Sequence, residues 1–142
     1  MKDDIVCSGA LFYATSTKRF LFLQRTDKKT QGMWGLVGGR SKFTESAFEG
    51  LKREIEEETG SLPKFKKVIP LEMFTSNDQK FYFHTYLLAI DSEFIPKLNT
   101  EHSGYCWCAF ECWPKNLHMG LRNTLNNKSI KGKLQTILDL IV

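Results

Sequence analysis

Four glycines, Gly32, Gly35, Gly38 and Gly39, crowd into eight residues, and a helix with clear start and stop signals follows at once. Glycine at that density marks backbone that turns tightly or approaches another group closely. The helix opens at Thr44 or Ser46. Ser46 is followed three residues later by Glu49, as in a capping box, and Gly60 with Pro63 beyond closes the element after about four turns. A glycine loop leading into one long capped helix excludes an all-β chain and a simple helix bundle, because β-rich runs stand on both sides of it. Ile5 to Ala14 and Phe20 to Gln24 flank the polar Thr15–Arg19 as a hairpin. Val68 to Thr75, Lys80 to Ile90 and Tyr105 to Phe110 read as further strands, with 26–39 as loop. Leu121, Leu125, Ile130, Leu134, Ile137, Leu138 and Ile141 keep helical spacing, with a break at Asn126-Asn127 or Gly132. The order predicts an α/β fold in which helices cover a mixed sheet, and 142 residues fit one domain, 1–142.

The long helix carries an energetic anomaly. At 100° per residue, Ala47, Phe48, Leu51 and Ile55 form the stripe that faces a core, while Glu54, Glu57 and Glu58 share an adjoining arc. Glu54 and Glu58 are an i,i+4 like-charge pair, which costs about 0.2–0.5 kcal/mol. All three sit in the second half of the helix, where the macrodipole disfavours negative charge by about 0.3–1 kcal/mol per group. A solvated acidic face is the plain reading of such a sector. The other reading is a set of hard oxygen ligands for Mg²⁺ or Mn²⁺, which would neutralise the repulsion.

Residues 39–61 resemble the Nudix box, whose pattern runs G-x5-E-x7-R-E-U-x-E-E-x-G-U with U a bulky aliphatic residue. Gly39, Glu45, Arg53, Glu54, Ile55, Glu57, Glu58 and Gly60 stand at the required spacing. Ser61 departs at the last aliphatic position, where Leu62 beside it is the substitute. The likeness continues more weakly in Phe22-Leu23-Gln24-Arg25 and in Gly32-x-Trp34-x-x-x-Gly38-Gly39. The resemblance implies the Nudix fold, a mixed sheet sandwiched between helices, and hydrolysis of a nucleoside diphosphate linked to another moiety. It implies Glu57 and Glu58 as main ligands of Mg²⁺ or Mn²⁺, Glu54 as further ligand or base, and the Gly38 carbonyl as backbone ligand. Arg53 is then the residue that orients these carboxylates, and Glu45 secures the loop to the helix.

Outside the box, Arg25 is a candidate for binding substrate phosphates, against an exposed strand-end arginine. Trp34 is a candidate for stacking on a base, against a core anchor. His84, among aromatic residues, receives no catalytic role. Glu101-His102-Ser103-Gly104-Tyr105-Cys106-Trp107 is similar to a segment of GDP-mannose mannosyl hydrolases and of some small phage-type Nudix pyrophosphatases. It implies Glu101 as base or extra metal ligand and His102 as base in the mannosyl alternative. The intact Arg53-Glu54-x-x-Glu57-Glu58 core favours attack on phosphorus, and it also weighs against a non-catalytic module that binds nucleotide or an RNA 5′ end. ADP-ribose, dinucleoside polyphosphates and FAD-like dinucleotides come ahead of nucleoside triphosphates as expected substrates.

Composition narrows the remaining options. The net charge of +4 suits an anionic substrate or nucleic acid, but the lysines are scattered, so charge alone does not decide the partner. Cys7, Cys106, Cys108 and Cys112 are too few for a disulfide scaffold and lack zinc-site spacing, so they read as small buried hydrophobes. The apolar windows at 86–90 and 137–142 fall far short of the ~20 residues of a membrane span. Met1-Lys2-Asp3-Asp4 does not open like a secretory signal, and a cytoplasmic protein is the expectation. A homodimer stays open.

Overall fold

The strand at the centre of the sheet explains the architecture. In a computed structural model, which describes residues 3–141, β1 (Ile5–Ala14) pairs in parallel with β6 (Phe81–Ile90) over its whole length. Met1, Lys2 and Val142, used above in reading the chain ends, lie outside the described residues. β1 also pairs antiparallel with β2 (Arg19–Arg25) at the hairpin and with β4 (Val37–Arg40) along Cys7–Ala10. β3 (Trp34–Gly35) and β7 (His102–Ala109) pair with β2, and β5 (Lys67–Thr75) pairs with β6.

A strand with neighbours on both edges and layers on both faces must be apolar where it is covered, and β1 carries no charge and is buried from Ser8 to Ala14, with Ser8 Oγ donating to the Ala47 carbonyl at 3.0 Å. Ala10, Phe12 and Ala14 face one cluster with Leu51 and Ile55 of α1 (Ala47–Thr59). Leu11 and Tyr13 face another with Leu121 and Leu125 of α2 (Met119–Asn126) and Leu134 of α3 (Lys128–Leu140). This is the mixed sheet between helices that the sequence predicts. Among the described residues no helix is long and apolar enough to cross a membrane.

Two boundaries differ from the expectation, and the break in the tail falls at the first of the two places expected. The stretch 26–39, read as loop, contains β3 and β4. β4 is hidden because Gly38 and Gly39 carry no strand signal, yet glycine is what lets it pair: a Cβ on Gly38 would overlap the Ser8 carbonyl of β1. β7 begins at His102 instead of Tyr105, because a bulge between Gln24 and Arg25 lets β2 pair as far as His102. The tail breaks at Asn127, whose side chain accepts from the Ile130 N–H at 3.1 Å and caps α3, while Gly132 stays inside that helix.

At the start of α1 the capping box is complete. Ser46 Oγ accepts from the Glu49 N–H at 3.1 Å, and Glu49 Oε1 accepts from the Ser46 N–H at 2.9 Å. Ser46→Ala removes one acceptor of this pair, and the expected loss is about 1 kcal/mol, or about 3 °C in Tm, measured by thermal melts.

Candidate metal and nucleotide site

The box folds around one guanidinium. Arg53 on α1 grips Glu45 with two parallel bonds, Nε to Oε2 at 2.8 Å and Nη2 to Oε1 at 3.0 Å. Nη1 donates to Glu54 at 2.9 Å and to Glu57 at 3.2 Å, and Nη2 also donates to the Arg40 carbonyl at 3.0 Å. The loop and the helix are thus joined through a fork that only arginine supplies. Glu45 accepts in addition from the Lys42 N–H at 2.8 Å. The Arg53 hydrogen bonds, with that backbone donor, hold the Glu45 carboxyl down at about 2. The expectation that Glu45 ties the loop to the helix agrees with this geometry.

Glu58 is buried, at 3% exposure, and its Oε1 accepts from the Gly38 N–H at 2.9 Å. Burial pushes its carboxyl up to about 9, and Glu54 and Glu101 add repulsion. Glu54 presses against the glycine loop so closely that a Cβ on Gly39 would lie 2.5 Å from its Oε2. Carboxylate oxygens of Glu54, Glu58 and Glu101 all fall within 4.8 Å of one another. Among the described residues no ion pair reaches Glu58 or Glu101, and of the three acids Arg53 touches Glu54 alone. The donor set is all hard oxygen and fits Mg²⁺ or Mn²⁺. Glu57, placed in this set by the sequence, is half exposed with its Oε1 on Arg53, while Glu101 stands inside the cluster.

The cluster opens into a cleft of about 920 Å³. Arg25 and His102 line it near the carboxylates. Arg25 Nε donates to Asp27 at 3.1 Å and to Thr30 Oγ1 at 2.7 Å, so it is held as well as positioned. His102 is the first residue of β7 and is buried, and its Nδ1 has no hydrogen-bond partner among the described residues. Desolvation lowers its pKa and keeps the imidazole neutral. Trp34 is a correction to the stacking expectation. It does not line the cleft and packs with the α2–α3 cluster, its Cη2 lying 3.9 Å from where a Cβ on Gly104 would be. His84 is also outside the cleft, stacked on Tyr86 with ring centroids 6.3 Å apart.

The sequence reading missed the part of the cleft built by β5, β6 and α2, where Glu72, Phe74, Phe81, Phe83 and Asn123 stand. Alternation along β6 puts Phe81, Phe83 and Thr85 on one face. That signal was present in the sequence; the contribution from β5 and α2 depends on tertiary packing.

The pattern of the NUDIX domain matches residues 6–127, and the chain belongs to that family. It is 41% identical over 63 residues to Nudix hydrolase 6 of Arabidopsis thaliana, a match covering 43% of this chain and 22%, about a fifth, of that protein's length. A MutT protein from Methanosarcina mazei Go1 has the same fold, with a TM-score of 0.71, 23% identity and coverage of 94% of this chain and 97% of that one. An Ap4A hydrolase from C. elegans, solved as a binary complex, also superposes with a TM-score of 0.71, at 18% identity over 95% of this chain and 99% of that one.

The Glu45 clamp makes stability depend on pH in a definite direction. A carboxyl whose folded pKa lies near 2, below its ordinary value, stabilises the fold above the ordinary range and stops doing so as pH falls toward 2. Glu45→Gln is expected to melt below the parent protein at pH 7, with the gap closing between pH 4.5 and pH 2. Paired thermal melts across that range check this, and a gap of constant size would contradict it.

Proposed function

We propose that this protein is a metal-dependent pyrophosphohydrolase that cleaves the diphosphate linkage of a nucleoside diphosphate derivative. The observation that carries the reading is the Glu54, Glu58 and Glu101 cluster at the wall of a cleft large enough for a nucleotide. Glu54 and Glu58 of that cluster would hold Mg²⁺ or Mn²⁺, with the Gly38 carbonyl, and with Glu57 once it turns from Arg53. When bound, the ion withdraws charge from the diphosphate oxygens and lowers the pKa of bound water.

The chain's own residues supply the rest. Arg53 fixes the carboxylates through its contacts to Glu45, Glu54 and Glu57. Arg25 gives a guanidinium to the phosphates of the substrate. Glu101 takes the proton from the attacking water as its oxygen bonds to phosphorus and the bridging P–O bond breaks. The two halves leave, each ending in a phosphate, and from a simple diphosphate bridge both are phosphomonoesters. His102, neutral and with a free Nδ1, positions the substrate. The family and the intact Arg53-Glu54-x-x-Glu57-Glu58 core support hydrolysis over simple binding. The C. elegans neighbour, an Ap4A hydrolase, supports including dinucleoside polyphosphates in the substrate class beside ADP-ribose and FAD-like dinucleotides.

The deciding experiment is product analysis in ¹⁸O-labelled water with Mg²⁺ or Mn²⁺ on a panel of ADP-ribose, dinucleoside polyphosphates, FAD and GDP-mannose. Label on phosphate, and from ADP-ribose AMP plus ribose 5-phosphate, is the expected result. Label on a free sugar would move the reaction to the mannosyl-hydrolase type, and no metal-dependent turnover on any member would favour the binding module.

Glu57→Gln and Glu58→Gln are each expected to remove most turnover. Glu58→Gln should leave the metal-free Tm unchanged or higher, since glutamine still accepts from the Gly38 N–H and a desolvated acid is gone. Glu101→Gln should lower kcat by about 10²–10⁴, the range for a positioned base. His102→Asn should act mainly on KM, and steady-state kinetics of the four variants separates these outcomes.

A further inference from the structure

The β5–β6 end of the cleft is lined by aromatic rings that suit a flat aromatic ligand. Phe74 on β5 faces Phe83 across the ladder, and its ring lies 6.2 Å from that of Phe81. Phe74 is 53% exposed, which leaves its ring open to a stacking partner.

A carboxylate is fixed beside these rings by a defect in the sheet. Pro70 pairs with Tyr86, and regular pairing would set Leu71 opposite Thr85. The bulge instead sets Glu72 opposite Thr85 and leaves Leu71 in the core. Thr85 lines the cleft, and Glu72 reaches across to α2, where its Oε1 accepts from Thr124 Oγ1 at 2.7 Å. Its Oε2 has no hydrogen-bond partner among the described residues. Thr124 and its neighbour Asn123 also line the cleft.

We infer that this end holds the base of the substrate and that Glu72 reads guanine, accepting from its N1–H and 2-amino group. The inference rests on the cleft being the nucleotide site proposed above. A carboxylate only accepts. Guanine offers two donors side by side on that edge. Adenine offers its 6-amino group next to the lone pair of N1, which a carboxylate oxygen repels. A site built for donors rejects the analogue that lacks them. This reorders the substrates proposed above, setting guanosine diphosphate derivatives and guanine dinucleotides ahead of ADP-ribose, FAD and adenine dinucleotides.

Calorimetric titration of the intact chain with GMP, IMP and AMP tests this without any bond being broken, since a monophosphate has no anhydride. GMP is expected to bind at least about tenfold more tightly than AMP, the effect of hydrogen bonds to a charged group, with IMP between them because it keeps N1–H and lacks the amino group. Glu72→Gln keeps an acceptor for Thr124 and adds a donor, so the preference should vanish or turn toward AMP. GMP and AMP binding within twofold of each other in the parent protein overturns the inference, as does an unchanged preference in a Glu72→Gln variant whose melting shows it folded. The parent protein's ordering decides the matter even where the variant does not fold. Guanine preference without metal-dependent cleavage would leave the base site standing and remove the catalytic reading. Cleavage without base preference would do the reverse.

Discussion

The site depends on Arg53 more than on any ligand. Its guanidinium touches Glu45 in the loop, Glu54 and Glu57 on the helix and the carbonyl of Arg40 at the end of β4. Those contacts set the glycine strand, the loop and the acidic face of α1 in one mutual orientation. Lysine, with a compact charge and no planar fork, cannot join so many partners at once. The arginine also relieves Glu54 and Glu57 while leaving Glu58 and Glu101 without a direct cationic contact from it. The acids left without its contact, Glu58 and Glu101, both line the cleft.

That lack of contact has an energetic meaning. Taking a carboxylate out of water is costly unless a partner compensates it, and the Gly38 N–H compensates Glu58 only in part. The fold supports this arrangement from elsewhere: β1 is buried on both faces, and α1 is fixed by a complete capping box and by Leu51 and Ile55 in the core. Stability is invested in the scaffold and withheld from the site, as expected where a group must bind something that arrives from solution.

Much of this was legible in the sequence because it is local. The capping box at Ser46, the stop at Gly60, the acidic sector and the pairing of Arg53 with Glu57 follow from spacing along one helix. Glu101 was legible through its segment, although only the fold brings it beside Glu54 and Glu58. β4 was not legible, because the glycines that permit it look like loop and its pairing with β1 is remote in sequence. Glu72 was hidden for another reason. A bulge shifts the alternation of β5 by one residue, so a pattern read with strict period two assigns the wrong side chain to the cleft. Trp34 shows the same limit from the opposite side: an aromatic residue among glycines reads equally well as anchor or as platform, and only packing distinguishes them.

The parallel pairing of β1 with β6 has a consequence for how the chain becomes functional. Ile5 faces Phe81, more than seventy residues later, and the register continues to the end of both strands. The long helix can form from its own local signals well before that ladder closes, but contacts so distant along the chain close late and at the greatest entropic cost. Thr85 sits on the late strand and Glu101 lies beyond it, so the cleft stays incomplete until β6 docks and the segment after it follows. On a ribosome, a chain stopped short of β6 would carry the complete box and still lack a site in which to use it.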